Sequence, residues 1–219
     1  MRPRAWLLGD KMEKEKQPNV LSGAPNGYKL GKTIDLQNNK KQMILVNMAS
    51  ILIAIILVVP MIFLVPISGL FKLDTTGIDG LGLYALRFLV LFVGSILYIV
   101  LHEATHGIVM KMFGAKKVKF GFTFIYAYAG TKEEYFKKWP YIIIALAPVT
   151  VFFIIFAAIC PFIYQTTWFW VVYFWQIQNL SGAAGDIIVS FMLLNKPKNS
   201  YILDEGTNMK VFVPKSDEQ

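Results

Sequence analysis

Charge is scarce in this chain. Of its 219 residues, 16% are Asp, Glu, Lys or Arg, against about 25% in typical soluble domains, while 55% are hydrophobic and the mean hydropathy is +0.50. A disordered chain needs the opposite balance, and a soluble monomer would have to hide far more apolar surface than its size allows. A single cysteine, Cys160, excludes an intramolecular disulfide framework. Histidine occurs twice, as His102 and His106.

What the chain has instead is long uncharged runs. Between Lys138 and Asp186 stand 47 consecutive residues without a formal charge, and a membrane-spanning helix needs about 20. Pro161, Gln165, Thr166 and Thr167 divide that run into two candidate spans, 139–160 and 167–194. A third, 43–66, is uncharged throughout. It begins after a polar tail and exceeds a signal peptide's core of roughly 7–15 residues, so it reads as a retained anchor. The fourth, 81–113, carries Arg87, His102, Glu103 and His106. Arg87 is expected to snorkel to the outer interface.

The basic residues then set a topology. Lys and Arg number nine in residues 1–42, one in 67–82, seven in 111–138, none in 161–167 and four in 195–219. Short basic loops stay cytoplasmic, so four spans with both termini and the central loop inside fit every segment. The net charge of +8 reads as topology and attraction to anionic lipid; no fold motif for nucleic acid accompanies it. The expected fold class is therefore an all-α integral membrane protein of a bacterial inner or plasma membrane. Four transmembrane helices fill residues 43–194, a small cytoplasmic β-strand or hairpin lies between the second and third, and the tails 1–42 and 195–219 are polar and flexible.

The second span contains Leu101-His102-Glu103-Ala104-Thr105-His106-Gly107, an H-E-x-x-H pattern that uses both histidines of the chain. Residues four apart share a helix face, so two imidazoles can hold one ion while Glu103 faces the water beside it. Imidazole and carboxylate donors in an open three-ligand site suit one zinc ion. Ionisable groups inside a span are costly, and three within five residues ask for a common explanation.

Two histidines leave such a site one ligand short. The candidates are Asp74, Asp79, Glu133, Glu134 and Asp186. His102 and Asp186 each lie about 20 residues, roughly 30 Å along a helix, from the outer ends of their spans, and so at one depth. Asp74 and Asp79 fall on the opposite side of the bilayer, and Glu133 and Glu134 read as a solvated charged turn beside Lys132, Lys137 and Lys138. Asp186 follows the small residues Ser181-Gly182-Ala183-Ala184-Gly185, so a close-packed helix stripe with a paired Asp is the competing reading. Asn179, seven residues earlier, shares its face and would either meet a substrate backbone or oxyanion, or bond between helices.

With Ala147-Pro148 in the third span and Gly185-Asp186 in the fourth, the H-E-A-T-H-G segment resembles a bacterial family of membrane proteins described as zincin-type peptidases, over residues 34–196. More distantly it resembles the site-2 protease class of intramembrane zinc proteases. That resemblance implies His102, His106 and Asp186 as zinc ligands, Glu103 as catalytic base and, loosely, Asn179 as the upstream Asn. Here Asp186 stands in Gly-Asp-Ile, where the site-2 pattern has Leu-Asp-Gly preceded by prolines.

Residues 118–128 alternate Val118, Phe120, Phe122, Phe124, Tyr126 and Tyr128 with smaller or polar residues, a period of two that marks a strand. It would lie beside the site, where Phe122 and Phe124 either help hold an extended substrate along the strand edge or belong to an aromatic hairpin resting on the interface. The expected function is a membrane-embedded zinc metallopeptidase that cleaves membrane or membrane-associated proteins near the cytoplasmic face. Its partners would be that protein or peptide substrate and the bilayer, with the oligomeric state left open. The alternative is a zinc-binding membrane protein without hydrolytic activity, such as a scaffold.

Overall fold

The computed structural model describes residues 18–35, 38–73, 78–122, 127–206 and 208–215. Strands β1 (Val20–Ser22) and β2 (Tyr28–Asp35) precede helix α1 (Lys40–Leu64), and a single turn, α2 (Ser68–Phe71), leads into the long α3 (Ile78–Met112). Strands β3 (Lys119–Phe122), β4 (Ala127–Gly130) and β5 (Glu134–Lys137) follow, then helices α4 (Lys138–Ile163), α5 (Phe169–Gly182) and α6 (Ala184–Leu194). Strands β6 (Tyr201–Asp204) and β7 (Asn208–Pro214) close the chain. Among the described residues, four helical segments are long and apolar enough to cross a membrane: Lys40–Leu64, Gly80–Met112, Lys138–Ile163 and, taking α5 and α6 together, Phe169–Leu194.

The all-α expectation is overturned. Seven strands lie among the described residues, five of them in one antiparallel sheet of order β1-β5-β6-β7-β2. Both tails, read from composition as flexible, supply four of those strands, and the loop before α4 supplies the fifth. Val20 pairs with Phe136, Tyr135 with Leu203, and Thr33 with Lys210. Composition hid this because each strand is short and its neighbours come from distant parts of the sequence. Only the alternation within β6 and β7 marks them: Ile202, Met209 and Val211 point to one face, Tyr201, Leu203 and Phe212 to the other.

The first of those faces seals the sheet onto the helices. Ile34, Phe136, Ile202 and Val211, none more than 2% exposed, pack with Met110 of α3, Tyr141 and Ile144 of α4, and Val189 and Leu193 of α6. The N-terminal, central and C-terminal segments therefore sit together at one end of the helices. At the other end Phe169, Trp170, Tyr173 and Ile177 of α5 pack on Leu57, Val58 and Met61 of α1 and on Leu70 of α2. The Tyr173 hydroxyl donates to the Leu57 carbonyl at 2.8 Å.

Two cations are spent on helix ends. Arg87, expected at the interface, is instead fully buried, its Nη1 donating to the carbonyls of Leu70 (2.7 Å) and Lys72 (2.9 Å) at the C-terminal end of the short α2. Lys138 is 5% exposed and its Nζ donates to Lys196 (2.7 Å) and Leu194 (3.3 Å), satisfying carbonyls at the end of α6 where the helix dipole favours a cation. Glu134 also departs from its expected solvated turn. It is 5% exposed and accepts from the backbone N–H of Lys116 at 2.7 Å, tying β5 to the turn after α3. Glu133 is exposed. That turn is made by Gly114 at φ 105°, with Ala115 N–H returning to the Met110 carbonyl and Gly114 N–H to that of Lys111.

The aromatic stretch at 118–128 is a hairpin rather than one strand. Strand β3 pairs with β4 through Phe120↔Ala129 and Phe122↔Ala127, and residues 123–126, Phe124 among them, lie outside the described residues. Gly107 lets the hairpin lie on α3, since a Cβ there would stand 2.3 Å from the Phe120 ring.

If the tails belong to the core, a cut within them requires unfolding. Trypsin should leave the peptide bond after Lys210 intact while the helices are folded. Replacing fully buried Ile202 by Ala should cost about 2–5 kcal/mol and expose that bond, as read by the rate of appearance of the clipped chain.

Candidate metal centre

Tyr98, His102 and His106 succeed one another at four-residue intervals on α3 and share one face, with Glu103 one step round the helix. What orients the two imidazoles comes from other helices.

His106 points its Nδ1 at the Ile144 carbonyl of α4, 2.9 Å away. A carbonyl only accepts, so Nδ1 carries the proton and Nε2 presents its lone pair. This carbonyl is available because Pro148, four residues on, has no N–H to give it. His102 is held by a longer relay. The Asn179 amide donates from Nδ2 to the Val149 carbonyl (3.0 Å), so its Oδ1 accepts the Tyr98 hydroxyl proton (2.9 Å). The Tyr98 oxygen then accepts from His102 Nδ1 at 2.9 Å, which again leaves Nε2 free. Outer partners of this kind fix the tautomer and the aim of a metal-binding histidine.

Asp186 arrives from the fourth helical segment. The helix breaks at Ala183 (φ −82°, ψ 11°), and Asp186 stands in the first turn of α6, where a carboxylate is favoured by the dipole. Its Oδ2 lies 3.4 Å from His102 Nε2 and 3.6 Å from His106 Nε2. Those separations are long for hydrogen bonds, but a tetrahedral ion with bonds of about 2.1 Å sets its ligand atoms about 3.4 Å apart. The three side chains offer donor atoms all within 4.8 Å of one another, two neutral imidazole nitrogens and one carboxylate oxygen, so the donor set fits zinc in both chemistry and spacing.

The trio opens onto a cavity of about 530 Å³. Glu103 lines it beside the ligands and accepts a hydrogen bond from the Ala129 N–H of β4, which fixes the carboxylate toward the trio. Gly182 and Gly185 face the same space while Ala183 and Ala184, at most 1% exposed, are packed away from it. The small-residue stripe thus divides between packing and leaving room. The sheet supplies the remaining wall through Ile34, Asp204, Asn208 and Met209.

Asp204 and Tyr141 are the residues that sequence reasoning missed. The Tyr141 hydroxyl donates to Asp204 Oδ2 at 2.6 Å, the Gly206 N–H donates to Oδ1 at 2.8 Å, and both side chains line the cavity. Burial lifts the Asp204 carboxyl above the usual carboxylate range, against the pull of those two bonds. Its position in a polar C-terminal segment gave no signal; only the sheet carries it to the site. Among the expected site residues, Asn179 is fully buried with its amide engaged between α3 and α4, and it does not line the cavity. Phe122 stands 78% exposed and outside the cavity wall, which β4 provides through Ala127, Tyr128 and Ala129. Asp74 and the Asp79 side chain lie outside what the structure describes.

The Pro148 device is open to test. Restoring an N–H at this position with Pro148→Ala should make the helix compete with His106 for the Ile144 carbonyl and weaken zinc binding by about tenfold, within the 10–100-fold expected for an outer partner. Pro161→Ala, later in the same helix, should leave the zinc dissociation constant unchanged in the same competition assay.

Residues 95–201 match the family model described as "Putative zincin peptidase". A protein of Pyrococcus woesei described as "Uncharacterized 24.7 kDa protein in gap 5'region" is 33% identical over 126 residues, covering 52% of this chain. The chain spans about half of that relative's length, 51%. No solved structure matches. Tyr98, the two histidines, Glu103, Pro148, Asn179 and Asp186 all lie inside the segment that matches this family model.

Proposed function

We propose that this chain is a membrane-embedded zinc metallopeptidase that hydrolyses peptide bonds of membrane or membrane-associated proteins near the cytoplasmic face. The observation that carries the reading is the convergence of His102, His106 and Asp186 with Glu103 on one cavity within the helical bundle. The family's description supports the peptidase class, and the four apolar helices support the membrane. Three basic segments, N-terminal, central and C-terminal, join in one sheet at one end of the helices, which suits a cytoplasmic location for that end.

His102, His106 and Asp186 would hold the zinc ion, which when bound would supply Lewis acidity toward a carbonyl and lower the pKa of a water to near neutral. Glu103 is the base that takes that water's proton and then, as the acid, delivers it to the departing amine. Its hydrogen bond from Ala129 N–H holds one oxygen while the carboxylate faces the reacting water. His106 and His102 keep their Nε2 lone pairs inward through the Ile144 carbonyl and through Tyr98, so neither ring has to reorient during turnover. The same strand β4 brings a segment of backbone to the cavity wall at Ala127–Ala129, in reach of a substrate that runs alongside it in extended form. Extension is required because a transmembrane helix hides its peptide bonds in its own hydrogen bonds.

Two measurements bear on this reading. Glu103→Gln should keep stoichiometric zinc and lose cleavage of a reconstituted membrane-protein substrate by about 10²–10⁴-fold; full activity would remove Glu103 as the base. Asp186→Ala should lose the ion, and a purified variant that retains one zinc per chain would remove Asp186 from the ligand set. Orientation is tested separately: a cysteine placed at Gln165 should react with an impermeant maleimide added outside intact cells, and one at Lys132 should not.

A further inference from the structure

The cavity continues past the metal trio into the bundle, and its far wall holds an acceptor without a donor. Gln178 of α5 lines the cavity and donates from Nε2 to the Ser95 carbonyl of α3 at 3.3 Å. Its Oε1 is buried and has no hydrogen-bond partner among the described residues. Ser95 is seven residues, about 10 Å, before His102 and farther from the sheet end of α3. Gln178 therefore lies on the bilayer side of the metal site, while Asp204 and β4 lie on the sheet side.

Gln178, Gly182 and Asp186 stand at four-residue intervals along α5 and α6, all on the cavity wall. Gly182 keeps the path between the other two open, since a Cβ added there would meet nothing within 4 Å. A buried carbonyl oxygen left unpaired is costly. A transmembrane helix unwound for cleavage has the complementary defect, backbone N–H groups released into an apolar layer with no acceptor.

We propose that Gln178 Oε1 accepts a backbone N–H from the membrane-side part of an unwound transmembrane substrate, with Gly182 giving that backbone passage to the metal site. The proposal rests on the peptidase reading above and adds the substrate class: chains that enter from the bilayer side and are held at two levels, Gln178 above the metal and β4 below it. Soluble peptides that end at the metal would use only the lower level.

The test uses the full chain carrying Glu103→Gln, zinc-loaded and in nanodiscs, so that probes bind without being cut. One probe is a dye-labelled Leu/Ala transmembrane peptide of roughly 20 residues with a central Asn-Gly break; the other is its water-soluble half. Adding Gln178→Met, which keeps the side chain's length and removes the acceptor, should weaken the transmembrane probe about tenfold and leave the soluble half unchanged. Gly182→Val, whose side chain enters open space, should likewise weaken only the transmembrane probe. Unchanged affinity of the transmembrane probe in Gln178→Met overturns the proposal, and so does an equal loss for both probes, which marks a merely structural Gln178. A Glu103→Gln parent that binds neither probe overturns the peptidase reading itself.

Discussion

The contact on which the site depends is the hydrogen bond from His106 to the Ile144 carbonyl. It exists because a proline stands four residues beyond Ile144 and cannot close the helical bond, so a backbone oxygen deep in an apolar helix is left needing a donor. The imidazole supplies the donor, and in doing so has its tautomer set and its other nitrogen aimed at Asp186. Asn179 does the same for the second histidine, taking the Val149 carbonyl one residue past the proline and passing the constraint through Tyr98. Two backbone carbonyls of α4, on either side of Pro148, thus anchor the outer partners of both imidazoles. In a low-dielectric interior, such networks hold their geometry firmly because each broken bond leaves a polar group unpaired.

The sheet has the second organising role. Its inner face closes the sheet end of the bundle with Phe136, Ile202 and Val211, and its β6–β7 end carries Asp204 and Asn208 to the cavity. Because Asp204 is reached only through strand pairing, the C-terminal segment is part of the site's wall rather than an appendage. The same arrangement places the β3–β4 hairpin where Ala129 can meet Glu103. Gly107 and Gly121 permit this by leaving room for the Phe120 and Tyr128 rings.

The parts of this molecule legible in the sequence are those with a ruler built into them. Four residues per near-turn puts His102 and His106 on one face whatever surrounds the helix, and a common membrane axis lets Asp186 be set level with them by counting residues from the span ends. Arg87 and Glu134 depart from expectation for one shared reason. A lone charge is assigned to solvent or interface by default, yet both are buried on backbone groups supplied by segments not adjacent in sequence, the Leu70 and Lys72 carbonyls and the Lys116 N–H. Asn179 had two readings, and its amide is engaged between helices.

The sequence alone determined the apolar helices, the H-E-x-x-H face and the chemistry its donors prefer, since these follow from local periodicity and residue type. Tertiary structure alone decided that the polar tails and the loop before α4 form a five-stranded sheet, that a proline in α4 orients a histidine in α3, and that Asp204 shares a cavity with Asp186. Hydrogen bonds between distant segments decide these matters, and a carbonyl or an N–H looks the same in every residue until a fold gives it a partner.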